Sequence, residues 1–116
     1  MNAENKSLKD IQNKIIRFRN DRNWEQFHKL KDLLLGLNIE AGELNELFLW
    51  KDDKEIESVD KLKIGDELAD IFIFLAYISE HFNIDLSEAI DMKIDKNAKK
   101  YPVDKAYGSN KKYTEL

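Results

Sequence analysis

Asn38–Trp50 reads N-I-E-A-G-E-L-N-E-L-F-L-W and places Glu40 and Glu43 three residues apart inside an otherwise apolar segment. In a helix, residues at that spacing share a face, so both carboxylates point into one region. D-E-L-A-D repeats the arrangement further on with Glu67 and Asp70. Two successive helices that each offer a carboxylate pair can hold a divalent cation between them.

Working outward, Phe27, Leu30, Leu34, Leu37, Ala41, Leu44 and Phe48 recur at alternating spacings of three and four. This predicts one long helix over 23–50, capped by Asn23, with that stripe as its buried seam. Its length would be about 40 Å, with Trp24 at one end and Trp50 at the other. Leu33, Gly36, Glu40, Glu43 and Leu47 form the neighbouring row. Gly36 and Gly42 each cost the helix about 1 kcal/mol relative to alanine. That leaves two readings open: close approach of another helix or a ligand, or tolerated glycine.

The remaining chain follows the same logic. Ser7 with Asp10 makes a capping box for a helix over 7–20, whose stripe is Leu8, Ile11, Ile15 and Phe18. Lys51–Ser58 reads as a charged loop. A helix over 58–82 then takes Ile64, Leu68, Ile71, Leu75, Ile78 and Phe82 as its seam, with Glu67, Asp70, Phe74, Tyr77 and His81 beside it. Its block I-F-I-F-L-A-Y-I is apolar on every side, which predicts enclosure by its own bundle and by another subunit. Asp85 with Glu88 caps a helix over 86–100, and Pro102 stops it. The expectation is an all-α four-helix domain over 1–102, followed by a polar tail over 103–116 that drapes over a neighbour or is disordered.

Composition excludes several classes. With 116 residues the chain makes one domain, and without cysteine it has neither disulfides nor a thiolate metal site. A net charge of −4 argues against a general nucleic-acid binder. The polar N-terminus and the absence of an apolar run near ~20 residues point away from a membrane and toward the cytoplasm.

Carboxylates beside an apolar seam need compensation, because two of them ~4 Å apart repel by about 4 kcal/mol at an effective dielectric of 20. Oxygen-only ligands suit a hard cation, Mg²⁺ or Mn²⁺. Magnesium keeps waters and binds together with phosphates, which points to a nucleotide or another phosphoester. The plain alternative is that these acids lie on solvated faces and pair with lysines; two pairs in successive amphipathic helices weigh against it. Glu25 and His28 form an E-x-x-H, as in di-iron bundles, but those bundles need two such motifs and His81 has Ile78 three residues before it.

E-A-G-E followed by E-L-A-D resembles the E-x-x-E…E-x-x-D pattern of the MazG-like superfamily of all-α nucleoside triphosphate pyrophosphohydrolases, most of all its dCTP-cleaving branch. The resemblance extends through R-N-W-E-Q-F-H, D-L-L-L-G-L, the N-A-K-K-Y-P stretch and the closing K-K-Y-T-E-L. It implies a dimer or dimer of dimers that hydrolyses a deoxynucleoside triphosphate, dCTP or a modified dCTP foremost, to monophosphate and pyrophosphate with Mg²⁺, Mn²⁺ being a possible substitute. Nucleotide-pool house-cleaning is the role this implies. Carried over, Glu40, Glu43, Glu67 and Asp70 are the catalytic metal ligands. Trp24 and Trp50 enclose the base, His28 lies near it, Lys93 and Asn97 reach phosphates or sugar, and Tyr101 and Phe74 complete the substrate contacts. Phe74 stands where the family carries a tyrosine, which removes one hydroxyl, and the Lys51–Ser58 loop is shorter than the family's. The rival reading is a catalytically silent helical bundle that binds a nucleotide or a partner protein.

Overall fold

In the computed structural model, which describes residues 6–116, all regular structure is helical. Helix α1 spans Leu8–Asp21 and starts as its sequence predicts. Asp10 N–H donates to Ser7 Oγ at 3.1 Å, and Ser7 N–H donates back to the Asp10 carboxylate at 3.2 Å.

The single helix expected over 23–50 is not formed. Asn23 takes a left-handed conformation (φ 54°), so it cannot act as the expected cap, and Trp24–Phe27 make a separate 3₁₀ turn. Lys29, extended, then precedes α2, Leu30–Glu46. The break lets the turn fold back onto α1. Arg22 lies 3.6 Å from the Phe18 ring centre, Phe18 meets Trp24 edge to face at 5.7 Å, and Arg19 pairs with Glu25 at 3.6 Å. A continuous helix would carry Trp24 and Glu25 away from these partners. At the far end, the N–H groups of Leu47, Phe48 and Leu49 donate to carbonyls three residues back, which tightens the turn. Trp50 follows at φ 65°.

The charged loop contains one turn of helix, α3 (Asp53–Ile56). The Asp52 carboxylate accepts from Lys54 and Glu55 N–H at 3.1 and 2.8 Å. Helix α4 is Lys61–His81, and it starts at Asp60, whose carboxylate accepts from Leu62 N–H at 2.9 Å, rather than at residue 58.

Both seams also differ from expectation. On α2, Leu34 of the predicted stripe is 44% exposed, whereas Leu33 of the acid-bearing row is 3% exposed. On α4, Leu68 and Phe82 of the predicted seam are each 53% exposed, while Tyr77, in the row of Glu67 and Asp70, is buried. The cause is the all-round apolarity of α4. Spacing says that α4 is buried, but not which stripe faces α1 and α2. Both of those helices pack against the Asp70–Tyr77 side. Gln12 Nε2 donates to Ser79 Oγ at 3.0 Å, and Ser79 donates to the Ala76 carbonyl at 2.8 Å, so α1 is tied to α4 by a buried polar pair.

These elements form one compact unit, up to Ile84; Asp85–Leu116 form a second. In the second, Asp85 accepts from Glu88 N–H and caps α5, Leu86–Lys100. The segment 103–116 has local order of its own: α6 spans Val103–Ala106, and a 3₁₀ turn spans Tyr113–Glu115. Tyr113 meets Tyr101 edge to face at 5.9 Å, with Lys100 Nζ 4.9 Å from its ring centre. Among the described residues no helix is long and apolar enough to cross a membrane.

Candidate active site

Because the acid-bearing rows of α2 and α4 face each other, Glu40, Glu67 and Asp70 each bring an oxygen within 4.8 Å of the other two. Glu40 and Glu67 are half-buried, and one oxygen of each (Oε2) is buried without a hydrogen-bond partner. The two ion pairs among the described residues, Arg19–Glu25 and Lys31–Asp32, include none of these acids. The alternative in which they pair with lysines is therefore not what this fold builds.

The cluster is unfavourable by itself. Burial, then the charges of Glu43, Asp70 and Glu67, push the Glu40 carboxyl up to about 7. Burial and the charges of Glu43 and Asp70 raise Glu67 as well. Glu43 is exposed and stands outside the tightest group of three, but it acts on both neighbours. Oxygen-only donors, two of them orphaned and repelling, fit a hard divalent cation, whose charge would reverse each of these penalties.

Asp70 also belongs to a second feature. With Lys14, Ile15, Phe18, Trp24, His28, Ile73, Phe74 and Tyr77 it lines a cavity of about 470 Å³. The walls are mostly rings in mutual contact. His28 lies 4.4 Å from Tyr77, and Phe74 meets Tyr77 edge to face at 6.0 Å. Burial and the nearby Arg19 charge lower the pKa of His28, against a smaller raising effect of Glu25. Its Nδ1 has no partner. A space of this size and character suits a flat heteroaromatic group.

The fold thus brings Trp24, His28 and Phe74 together with Asp70, and sets Glu40 and Glu67 beside them. Trp50 is 91% exposed and takes no part in this cavity. Lys93, Asn97 and Tyr101 belong to the second unit, on α5 and at its C-terminal end. Glu25 and His28 do not make a metal pair, because Glu25 is turned to Arg19. Sequence reasoning missed Lys14, Ile15, Phe18, Ile73 and Tyr77 as cavity walls. Tyr77 had a usable signal, since it follows Asp70 and Phe74 in one helical row; Phe18 read only as core.

Residues 35–116 match the MazG-like family. The chain is 40% identical over 115 residues to dCTP pyrophosphatase 1 of Bos taurus, an alignment covering 95% of this chain and 68% of that one. It is 39% identical to the Homo sapiens dCTP pyrophosphatase 1 over the same shares. The crystal structure of a pyrophosphatase from Archaeoglobus fulgidus aligns with a TM-score of 0.75 at 29% identity, covering 88% of this chain and 98% of that one.

Proposed function

The chain belongs to the MazG-like family, and we propose that it is a nucleoside triphosphate pyrophosphatase that takes dCTP, or a modified dCTP, to the monophosphate and pyrophosphate. The observation that carries this is Asp70, which serves at once as a member of the acid cluster and as a wall of the aromatic cavity. A nucleotide whose base fills the cavity has its phosphates beside the carboxylates.

In this reading Glu40, Glu67 and Asp70, with Glu43 at their margin, hold Mg²⁺ or Mn²⁺. Bound there, the cation supplies charge neutralisation for the triphosphate and polarises a water. The chain's own part is positional. Trp24 and Phe74 hold the base from the sides, and stacking of this kind contributes roughly 1–3 kcal/mol whatever the base. Tyr77 and Phe18 exclude water from it. A carboxylate of the cluster accepts the proton lost when water attacks the α-phosphorus, and pyrophosphate leaves as the bond to the β-phosphate breaks. Selection for a pyrimidine comes from the size of the cavity together with a few polar contacts, His28 among the groups placed to make them. The test is pyrophosphate release from a panel of deoxynucleoside triphosphates, with and without Mg²⁺; release from none of them would sink the proposal.

A homo-oligomer, dimer or tetramer, belongs to the same proposal. Ile39 on α2 and Leu62 and Leu68 on α4 are 60, 80 and 53% exposed, a cost that a second copy removes. A monomer mass by light scattering at micromolar concentration would contradict it.

A further inference from the structure

Gly36 lies on α2 against Phe74 of α4. A Cβ at this position would stand 3.0 Å or less from Cδ1, Cε1 and Cζ of Phe74, well inside the 3.5–4.0 Å of ordinary carbon contact. At Gly42 and Gly65 a Cβ would meet nothing within 4 Å. Gly36 sits within the helix without a left-handed φ, so its backbone does not require glycine, and helix propensity favours alanine there. What explains glycine is the ring. Phe74 occupies the volume that a side chain at residue 36 would fill, and it also lines the 470 Å³ cavity between Asp70 and Tyr77.

We propose that Gly36 is a specificity-determining position: by carrying no side chain it lets the Phe74 ring lie back against α2, and so sets how much of the cavity is open to the base. The proposal rests on the reading of that cavity as the base pocket. A methyl group at residue 36 drives the ring roughly 1.2–1.7 Å away from α2 to restore contact distance. Tyr77 packs edge-on against Phe74 at 6.0 Å and limits retreat along α4, so the ring moves into the cavity. The acids lie outside this displacement. Nucleotide binding should weaken while the chemical step does not.

The test uses the full chain and four variants (Gly36→Ala, Phe74→Leu, the two combined, and Gly65→Ala), with two readouts: the Kd of a non-hydrolysable α,β-imido dCTP by titration calorimetry, and kcat and KM for dCTP. Gly36→Ala should raise Kd and KM about tenfold, the range that one carbon group commands in an apolar pocket. Its kcat should stay within about twofold, as expected when only binding is lost. Phe74→Leu alone gives up the ring's own contact with the base and should raise Kd. In that background Gly36→Ala should add less than about twofold, because the shorter side chain leaves the methyl group room. Gly65→Ala should change neither constant. An unchanged Kd in Gly36→Ala, or a weakening as large in the Phe74→Leu background as with the ring present, would overturn the inference. If the wild-type chain binds the analogue but releases no pyrophosphate, the proposed activity fails, while the Kd series still decides the role of Gly36. If it does not bind the analogue at all, the cavity is not a base pocket and the inference falls with it.

Discussion

The acid cluster and the aromatic cavity share Asp70 but are built on opposite physics. In the cavity each ring has a neighbour: Phe18 meets Trp24, His28 meets Tyr77, and Tyr77 meets Phe74. Such contacts stabilise the fold whether or not anything is bound. The cluster has no such return. Glu40 and Glu67 keep buried oxygens without partners and repel each other and their neighbours. A group that breaks local rules with no compensation inside the chain is the expected mark of a site completed by a ligand. The cavity decides what is held, and the cluster decides what happens to it.

The largest effect should come from removing the cluster. Glu40→Ala, Glu67→Ala or Asp70→Ala should each lower kcat by about 10²-fold or more, since several kcal/mol of transition-state charge stabilisation depends on the cation they would hold. The helical circular dichroism should persist, and the metal-free thermal midpoint should not fall, because a repelling charge has gone. Near wild-type turnover in two of the three variants would end the distinction between the two regions.

Trp24→Ala should act on the other side of the comparison. Loss of one stacking partner is expected to raise KM roughly 5- to 150-fold, following the 1–3 kcal/mol of base stacking, if that constant tracks binding. The dependence of rate on Mg²⁺ concentration should stay as in the wild type. A change in that dependence would show that the tryptophan supports the acids as well.

Much of this was legible in the sequence, and the failures have physical causes. The carboxylate spacing in E-A-G-E and E-L-A-D is a local property of a helix, so reading it needed no tertiary information. The all-α class followed from helical periodicity and scarce turn residues. The long second helix was misread because periodicity continues across His28–Lys29. The break there is fixed by tertiary partners, the Phe18–Trp24 contact and the Arg19–Glu25 pair, which no spacing rule reports. The seams were misassigned for a related reason. When α4 is apolar all round, the row that packs is chosen by where α1 and α2 land. The burial of Arg19, 6% exposed in an otherwise polar stretch, has no sequence signal at all.

The two regions should also differ in their response to pH. Glu40 is raised from an ordinary value of 4.5 to about 7 in the folded chain. Between those values the folded state binds more protons than the unfolded one, so stability falls as pH rises. Without divalent metal, the thermal midpoint should drop between about pH 5 and pH 8, and Glu40→Gln should flatten the slope. Saturating Mg²⁺ should flatten it too, because ionised carboxylates then gain a partner. In the cavity His28 acts in the opposite sense, because its lowered pKa makes stability rise with pH below its ordinary value of 6.5. The Glu40 effect is therefore read as the difference between wild type and Glu40→Gln. A difference that does not change over this window would mean that the repulsion is relieved in some other way.

The smallest effect compares two glycines six residues apart on α2. Gly36 is pressed against Phe74, whereas Gly42, between Glu40 and Glu43, would place a Cβ in open space. Glycine in a helix interior costs about 1 kcal/mol relative to alanine, mainly through the entropy of the unfolded chain. Gly42→Ala should therefore stabilise the protein by about 0.5–1 kcal/mol in chemical denaturation, where Gly36→Ala gives no gain because the displaced ring offsets the helix term. The same change tests how closely the acid region is approached in the assembled protein. A loss of stability in Gly42→Ala would place another surface against this stretch of α2, the second copy being the natural one. The cluster would then be closed from outside the chain, as the cavity is closed from within.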